Sequence, residues 1–139
     1  MLRRLDHVAI AVWDTEAALV YFRDRLALPV VHTEELAHPR VRLTYLDAGN
    51  VLVQLVEPLD ESAAVGHWLA EQGEGLHHIC FAVDDDVVDA ARALSLTQDT
   101  PVAGSGRGRP SAFVPGPPPH GTRIECTAFC SGDRAERGA

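Results

Sequence analysis

Apolar and polar positions alternate along LDHVAIAV near the start of the chain and again along LHHICFAV at residues 76–83. Alternation with period two is the mark of a strand, whose side chains point to opposite faces in turn. His7, Ala9 and Ala11 then share one face, against Val8, Ile10 and Val12; His78, Cys80 and Ala82 share one face, against Ile79, Phe81 and Val83. The larger residues can pack under a helix, and the small residues beside each histidine leave room for a ligand. After the first strand, residues 4–12, Asp14 or Thr15 can cap a helix over about 15–27. Its apolar stripe is Ala18, Leu19, Phe22 and Leu26, and Pro29 follows it. Strands follow at 29–35, 41–47 and 51–57, the last two a hairpin around Ala48-Gly49-Asn50. A connecting helix at 61–72 presents Val65, Trp68 and Leu69 inward and stops at Gly73 and Gly75. In the second half a shorter helix spans about 86–95, and the Gly-, Pro-, Ser- and Arg-rich segment 98–110 reads as a loop. Strands at 111–114 and 122–128 flank Pro115–His120, which cannot be a regular strand. The expected organisation is one α+β domain over 1–130, with halves at about 4–58 and 76–129 and a disordered tail over 131–139.

The halves are related by more than pattern. His7 and His78 are separated by 78 − 7 = 71 residues, and Gln54 and Glu125 by 125 − 54 = 71. Ile10, Ala11, Val12 and Asp14 map at the same offset onto Phe81, Ala82, Val83 and Asp85. Nitrogen and oxygen donors at matching places in duplicated strands point to one metal site built by both copies. Two imidazoles, a carboxylate and an amide oxygen form a mixed N/O set without sulfur, suited to Mn, Fe, Co, Ni, Zn or Mg. Four such ligands leave two open positions on an octahedral ion, where a substrate with two neighbouring oxygens can chelate. The ion would act as a Lewis acid that stabilises an enolate, which favours proton transfer next to a carbonyl.

Composition narrows the partners. At 139 residues and 46% hydrophobic the chain can bury a core. A formal net charge of −8 argues against nucleic acid or an anionic membrane as partner. No apolar run reaches membrane-spanning length, and the start of the chain lacks a signal-peptide core, so a cytoplasmic protein is expected. The three cysteines, Cys80, Cys126 and Cys130, read as reduced thiols. Local cations for a small anionic substrate are Arg107 and Arg109, with Arg40 and Arg42; solvated surface arginines are the alternative. His77 points away from the His78 face and reads as structural, and His32, His38, His67 and His120 as surface residues.

The LDHVAIAV strand, the EPLDESAAVGHWLAEQGEGLHHICFAVDD segment and the His–Gln–His–Glu order resemble the vicinal oxygen chelate superfamily, and within it the methylmalonyl-CoA epimerases. The resemblance covers about residues 4–129, with residues 95–120 the least alike. It implies two tandem βαβββ modules whose strands curl into an open half-barrel around a metal site. It implies a divalent metal held by His7, Gln54, His78 and Glu125, and a homodimer acting on a small molecule, an acyl-CoA in the epimerases. There the thioester and carboxylate oxygens chelate the metal while the proton between them is moved. Several epimerases carry a glutamate base on the third strand, and the matching position here is Leu43. The His-Pro-Lys turn usual after a later strand is replaced by Pro115-Gly-Pro-Pro-Pro-His120. The base is thus unassigned, with Tyr45, Glu57 and Cys80 as candidates. Three functions stay open: an acyl-CoA epimerase, another metal-dependent isomerase, lyase or cyclase on the same scaffold, and a non-catalytic small-molecule binding or resistance protein.

Overall fold

The computed structural model describes residues 1–132; of the expected tail from Ser131, residues 133–139 lie outside the described residues. The strands are β1 (Leu2–Ala11), β2 (Val30–Ala37), β3 (Arg40–Asp47), β4 (Leu52–Pro58), β5 (Gly75–Val83), β6 (Val102–Gly106), β7 (Arg109–Phe113) and β8 (Ile124–Ala128). The helices are α1 (Thr15–Leu19), α2 (Ala64–Gln72) and α3 (Val87–Ala93). The orders β1-α1-β2-β3-β4 and β5-α3-β6-β7-β8 are two copies of βαβββ, joined by α2. By contacts the chain divides into two compact units: residues 8–77, and residues 1–7 together with 78 onward. β1 and β5 are each divided between them.

In the 8–77 unit the strand order is β2-β3-β4-β1. Two apolar clusters form on the two faces that period-two alternation creates. Val12, Leu46 and Leu55 meet Leu19 of α1. Ala9, Ala11, Leu43, Tyr45 and Val56 meet Val65 and Leu69 of α2. Ala9 and Ala11 are completely buried, so α2 fills the space expected to be open beside these small residues. Asp14 caps α1 by accepting from the Ala17 amide at 3.3 Å. Glu57 accepts from Thr15 Oγ1 at 2.6 Å and from Arg42 at 3.0 Å, tying the start of α1 to β3 and β4. The expected helix over 15–27 is α-helical only to Leu19; Val20–Arg25 is π-helical. The wider π turn carries the apolar stripe off its track, so Phe22 still packs while Leu26 is 47% exposed.

In the other unit the order is β1-β5-β8-β7-β6, with β5 and β8 parallel. Val83 and Cys126 pack with Val87, Ala90 and Ala91 of α3. The N-cap of α3 is Asp86, whose Oδ1 accepts from the Val88 and Asp89 amides at 3.0 Å. The internal repeat has therefore slipped by one residue, since Asp85, the match of Asp14, contacts the amino terminus instead. The segment expected to be a loop at 98–110 contains β6 and the start of β7, a correction with a clear cause. Arg107 and Gly108 both adopt left-handed backbone angles, φ 56° and 71°, and close a two-residue hairpin between Gly106 and Arg109. Turns of this kind match the strand twist, so the glycines mark a hairpin and its strands and not irregular chain. Among the described residues, no helix is long and apolar enough to cross a membrane.

Candidate metal centre

β1, β5 and β8 bring His7, His78 and Glu125 to one point within a single unit. Nε2 of His7 and Nε2 of His78 are 3.4 Å apart. Oε1 of Glu125 lies 3.4 Å from the first and 3.1 Å from the second. Three donors around an ion at about 2.1 Å stand roughly 3.0 Å apart in octahedral and roughly 3.4 Å apart in tetrahedral geometry. The observed triangle falls in that interval, and all three side chains are buried. The donor set fits a borderline divalent ion. Phe113 packs edge-on against His78, ring centroids 5.0 Å apart, and holds that imidazole in place.

His7 is held from behind. Its Nδ1 lies 2.7 Å from Oδ2 of Asp6, so Nδ1–H donates to the carboxylate and Nε2 turns toward the cluster. The same Oδ2 accepts from the guanidinium of Arg107. Burial disfavours the charged carboxylate of Asp6, but the hydrogen bond from His7 and the charge of Arg107 outweigh it and its pKa is lowered. Burial alone would depress His7, yet hydrogen bonds to Asp6 and Glu125 raise its pKa. For His78 burial dominates and its pKa is lowered, despite the opposing pull of Glu125. Glu125, although buried, is held well below the usual carboxylate range by the charge of His78 and by hydrogen bonds with both histidines.

The remaining expected site residues have definite places. Gln54 is buried directly opposite Tyr45 in the β3–β4 register, and its Nε2 donates to the Tyr45 hydroxyl at 2.9 Å. Its Oε1 is buried without a hydrogen-bond partner, a condition that costs free energy unless another ligand satisfies it. Glu57 is engaged by Thr15 and Arg42. Cys80 is fully buried, and burial pushes its thiol well above the ordinary value, so it is not a ready thiolate base. Leu43 is buried among apolar neighbours. Arg107 turns inward to Asp6, and Arg109 opens β7, half-buried. Sequence reasoning missed Asp6, because strict alternation sends neighbours to opposite faces; here Asp6 and His7 are both buried, and alternation breaks at that step. The Tyr45–Gln54 pair was open to sequence reasoning, since counting back from the Gly49 turn sets them opposite one another.

A duplicated βαβββ chain that gathers strand-borne imidazoles and a carboxylate defines a two-module chelating scaffold. Residues 6–113 match the Glyoxalase/Bleomycin resistance protein/Dioxygenase superfamily, and the chain belongs to it. Among curated proteins it is 33% identical over 121 residues to the ethylmalonyl-CoA/methylmalonyl-CoA epimerase of Cereibacter sphaeroides, covering 82% of this chain and 89% of that one. It is 36% identical over 80 residues to the uncharacterized protein YqjC of Bacillus subtilis, covering 58% of this chain and only 57% of that protein. Among solved structures, a glutamate-to-leucine variant of Streptomyces coelicolor methylmalonyl-CoA epimerase in complex with 2-nitronate-propionyl-CoA superposes with a TM-score of 0.75 at 34% identity, covering 94% of this chain and 97% of that one. The fold is that of these epimerases, and the relatives support an epimerase-like isomerase.

Proposed function

We propose that the protein is a metal-dependent epimerase of a 2-methyl-branched acyl-CoA resembling methylmalonyl-CoA, with residues 1–130 acting as one domain. In this reading His7, His78 and Glu125 hold a divalent cation, and Gln54 is the fourth donor by the 71-residue repeat. The observation that carries it is the triangle of donor atoms at 3.1–3.4 Å, in a chain whose relatives include named epimerases. A cation there supplies Lewis-acid stabilisation of the negative charge that grows on the acyl oxygens as the α-proton leaves. The chain's own residues orient the donors and keep them in the right charge state. Asp6 keeps the Nδ1–H of His7 engaged, Phe113 packs against His78, and Glu125 stays ionised across the physiological range.

A second reading, another metal-dependent isomerase, lyase or cyclase, is favoured by one observation. Leu43 cannot accept a proton, and its surroundings are apolar. The leucine variant of the Streptomyces enzyme was nevertheless solved with an acyl-CoA analogue bound, so loss of a glutamate there leaves room for the ligand. The two readings separate by NMR of methylmalonyl-CoA in deuterium oxide with cobalt-loaded protein and a His78→Ala control. The epimerase reading expects metal-dependent loss of the α-proton signal, absent in the control. No exchange from protein carrying its cation transfers the site to the second reading, and failure to bind any divalent cation refutes both.

A further inference from the structure

We infer that Arg107 and Asp6 are positioning residues for the metal centre, with Arg107 acting through Asp6 on the ring of His7. The inference rests on the metal reading above. Asp6 is 1% exposed and the Arg107 side chain 12%, so the pair lies largely out of water 101 residues apart in sequence. One oxygen, Oδ2, accepts from both the guanidinium and Nδ1 of His7. A carboxylate on Nδ1–H leaves Nε2 of the neutral ring as the lone-pair nitrogen, and Nε2 is the atom that meets His78 and Glu125. A carboxylate buried this deeply needs a cationic partner to remain ionised, and Arg107 is that partner. Its place in the turn supports the same conclusion. A left-handed turn position is served at least cost by Gly, Asn or Asp, yet an arginine stands there at φ 56°. The side-chain contact with Asp6 gives that residue a reason to be present. The β6–β7 hairpin thereby reaches a donor on β1 with no donor of its own.

The sign of the effect separates positioning from plain electrostatics. Removing a positive charge near a cation site would tighten cation binding by Coulomb's law alone. Loss of a positioning contact would weaken it. The test is a titration of the full chain with cobalt(II) chloride, followed by calorimetry and by the visible absorption of the bound ion. Wild type, Arg107→Met, Asp6→Asn and the double variant are compared, with folding checked by thermal melts. Arg107→Met is expected to weaken cobalt binding about 10-fold and to alter the visible bands, as outer-shell losses do. In the Asp6→Asn background the same replacement is expected to have little further effect. Unchanged or tighter binding by Arg107→Met overturns the proposal, as does an undiminished loss in the Asp6→Asn background. Should Arg107→Met not fold, Arg107→Gly, which removes the charge and suits the left-handed turn position, carries the same comparison. Wild-type protein that takes up no cobalt overturns the metal reading as well; wild type that binds while the variants match it overturns this inference alone.

Discussion

Replacing Tyr45 by Phe removes one hydroxyl from a residue that is 1% exposed. The ring and its packing against the α2 cluster remain, and the change removes the acceptor of the hydrogen bond from Gln54 Nε2, 2.9 Å long. A buried amide donor left without its acceptor costs about 1–3 kcal/mol. Relief of the burial cost of the hydroxyl offsets part of this, leaving a net loss of roughly 1–2 kcal/mol. For a chain of this length that corresponds to a fall in Tm of about 3–7 °C in metal-free protein. Gln54 also becomes free to turn, so cobalt affinity should fall together with stability. The assay is thermal unfolding of wild type, Tyr45→Phe, Gln54→Leu and the double variant, with cobalt titration of the first two. The double variant should lose less than the sum of the single ones, because each single replacement leaves one partner stranded. A Tyr45→Phe protein as stable as wild type, with additive losses, refutes the claim that Tyr45 fixes the Gln54 amide.

Two further outcomes follow from the geometry. His7 has a raised pKa and His78 a lowered one in the cation-free protein. Protonation of His7 therefore contributes stability that is fully present below its unfolded value of 6.5 and lost as pH rises through its folded value. A cation requires the neutral ring, so cobalt affinity should rise with pH through that folded value, and binding below it should release the proton of His7. Calorimetry in buffers of different ionisation enthalpy measures this, and release of two protons would show that both histidines start charged. Asp86→Ala removes the carboxylate that accepts from two backbone amides at the start of α3, and a loss of about 1 kcal/mol is expected by urea unfolding.

The strands and the tandem repeat were legible because period-two alternation and the 71-residue offset are written directly in residue types. The order of elements in the first half follows from them. Three features were not legible, each for a physical reason. The β6–β7 hairpin lies in a stretch whose glycines and proline are equally compatible with a loop, and only the paired left-handed angles at Arg107 and Gly108 distinguish the two. The end of the first helix depends on a shift from α to π hydrogen bonding that the spacing of Leu19, Phe22 and Leu26 does not record. The Ala9–Ala11 face is filled by α2, because small side chains admit a helix as readily as a ligand. At the site, His7, His78 and Glu125 were found by spacing. Asp6 and Arg107 were not, since their contact depends on a local break in alternation and a turn 101 residues away.

The division of the chain has a consequence for the order in which it folds. Residues 8–77 are one continuous run, and β2, β3 and β4 pair with their neighbours in sequence. Such local contacts form early and quickly. The unit that carries the donor triangle is discontinuous, because it joins residues 1–7 to the chain from 78 onward. During synthesis His7 emerges with the first strand, and its contact with Glu125 waits for β8, the last strand described. β1 finds its neighbour β5 in the order β1-β5-β8 before β8 is made, but the donor triangle waits for β8. The triangle is thus completed only with the last strand described, and a ribosome-bound chain stalled before β8 would contain a folded 8–77 unit and no triangle.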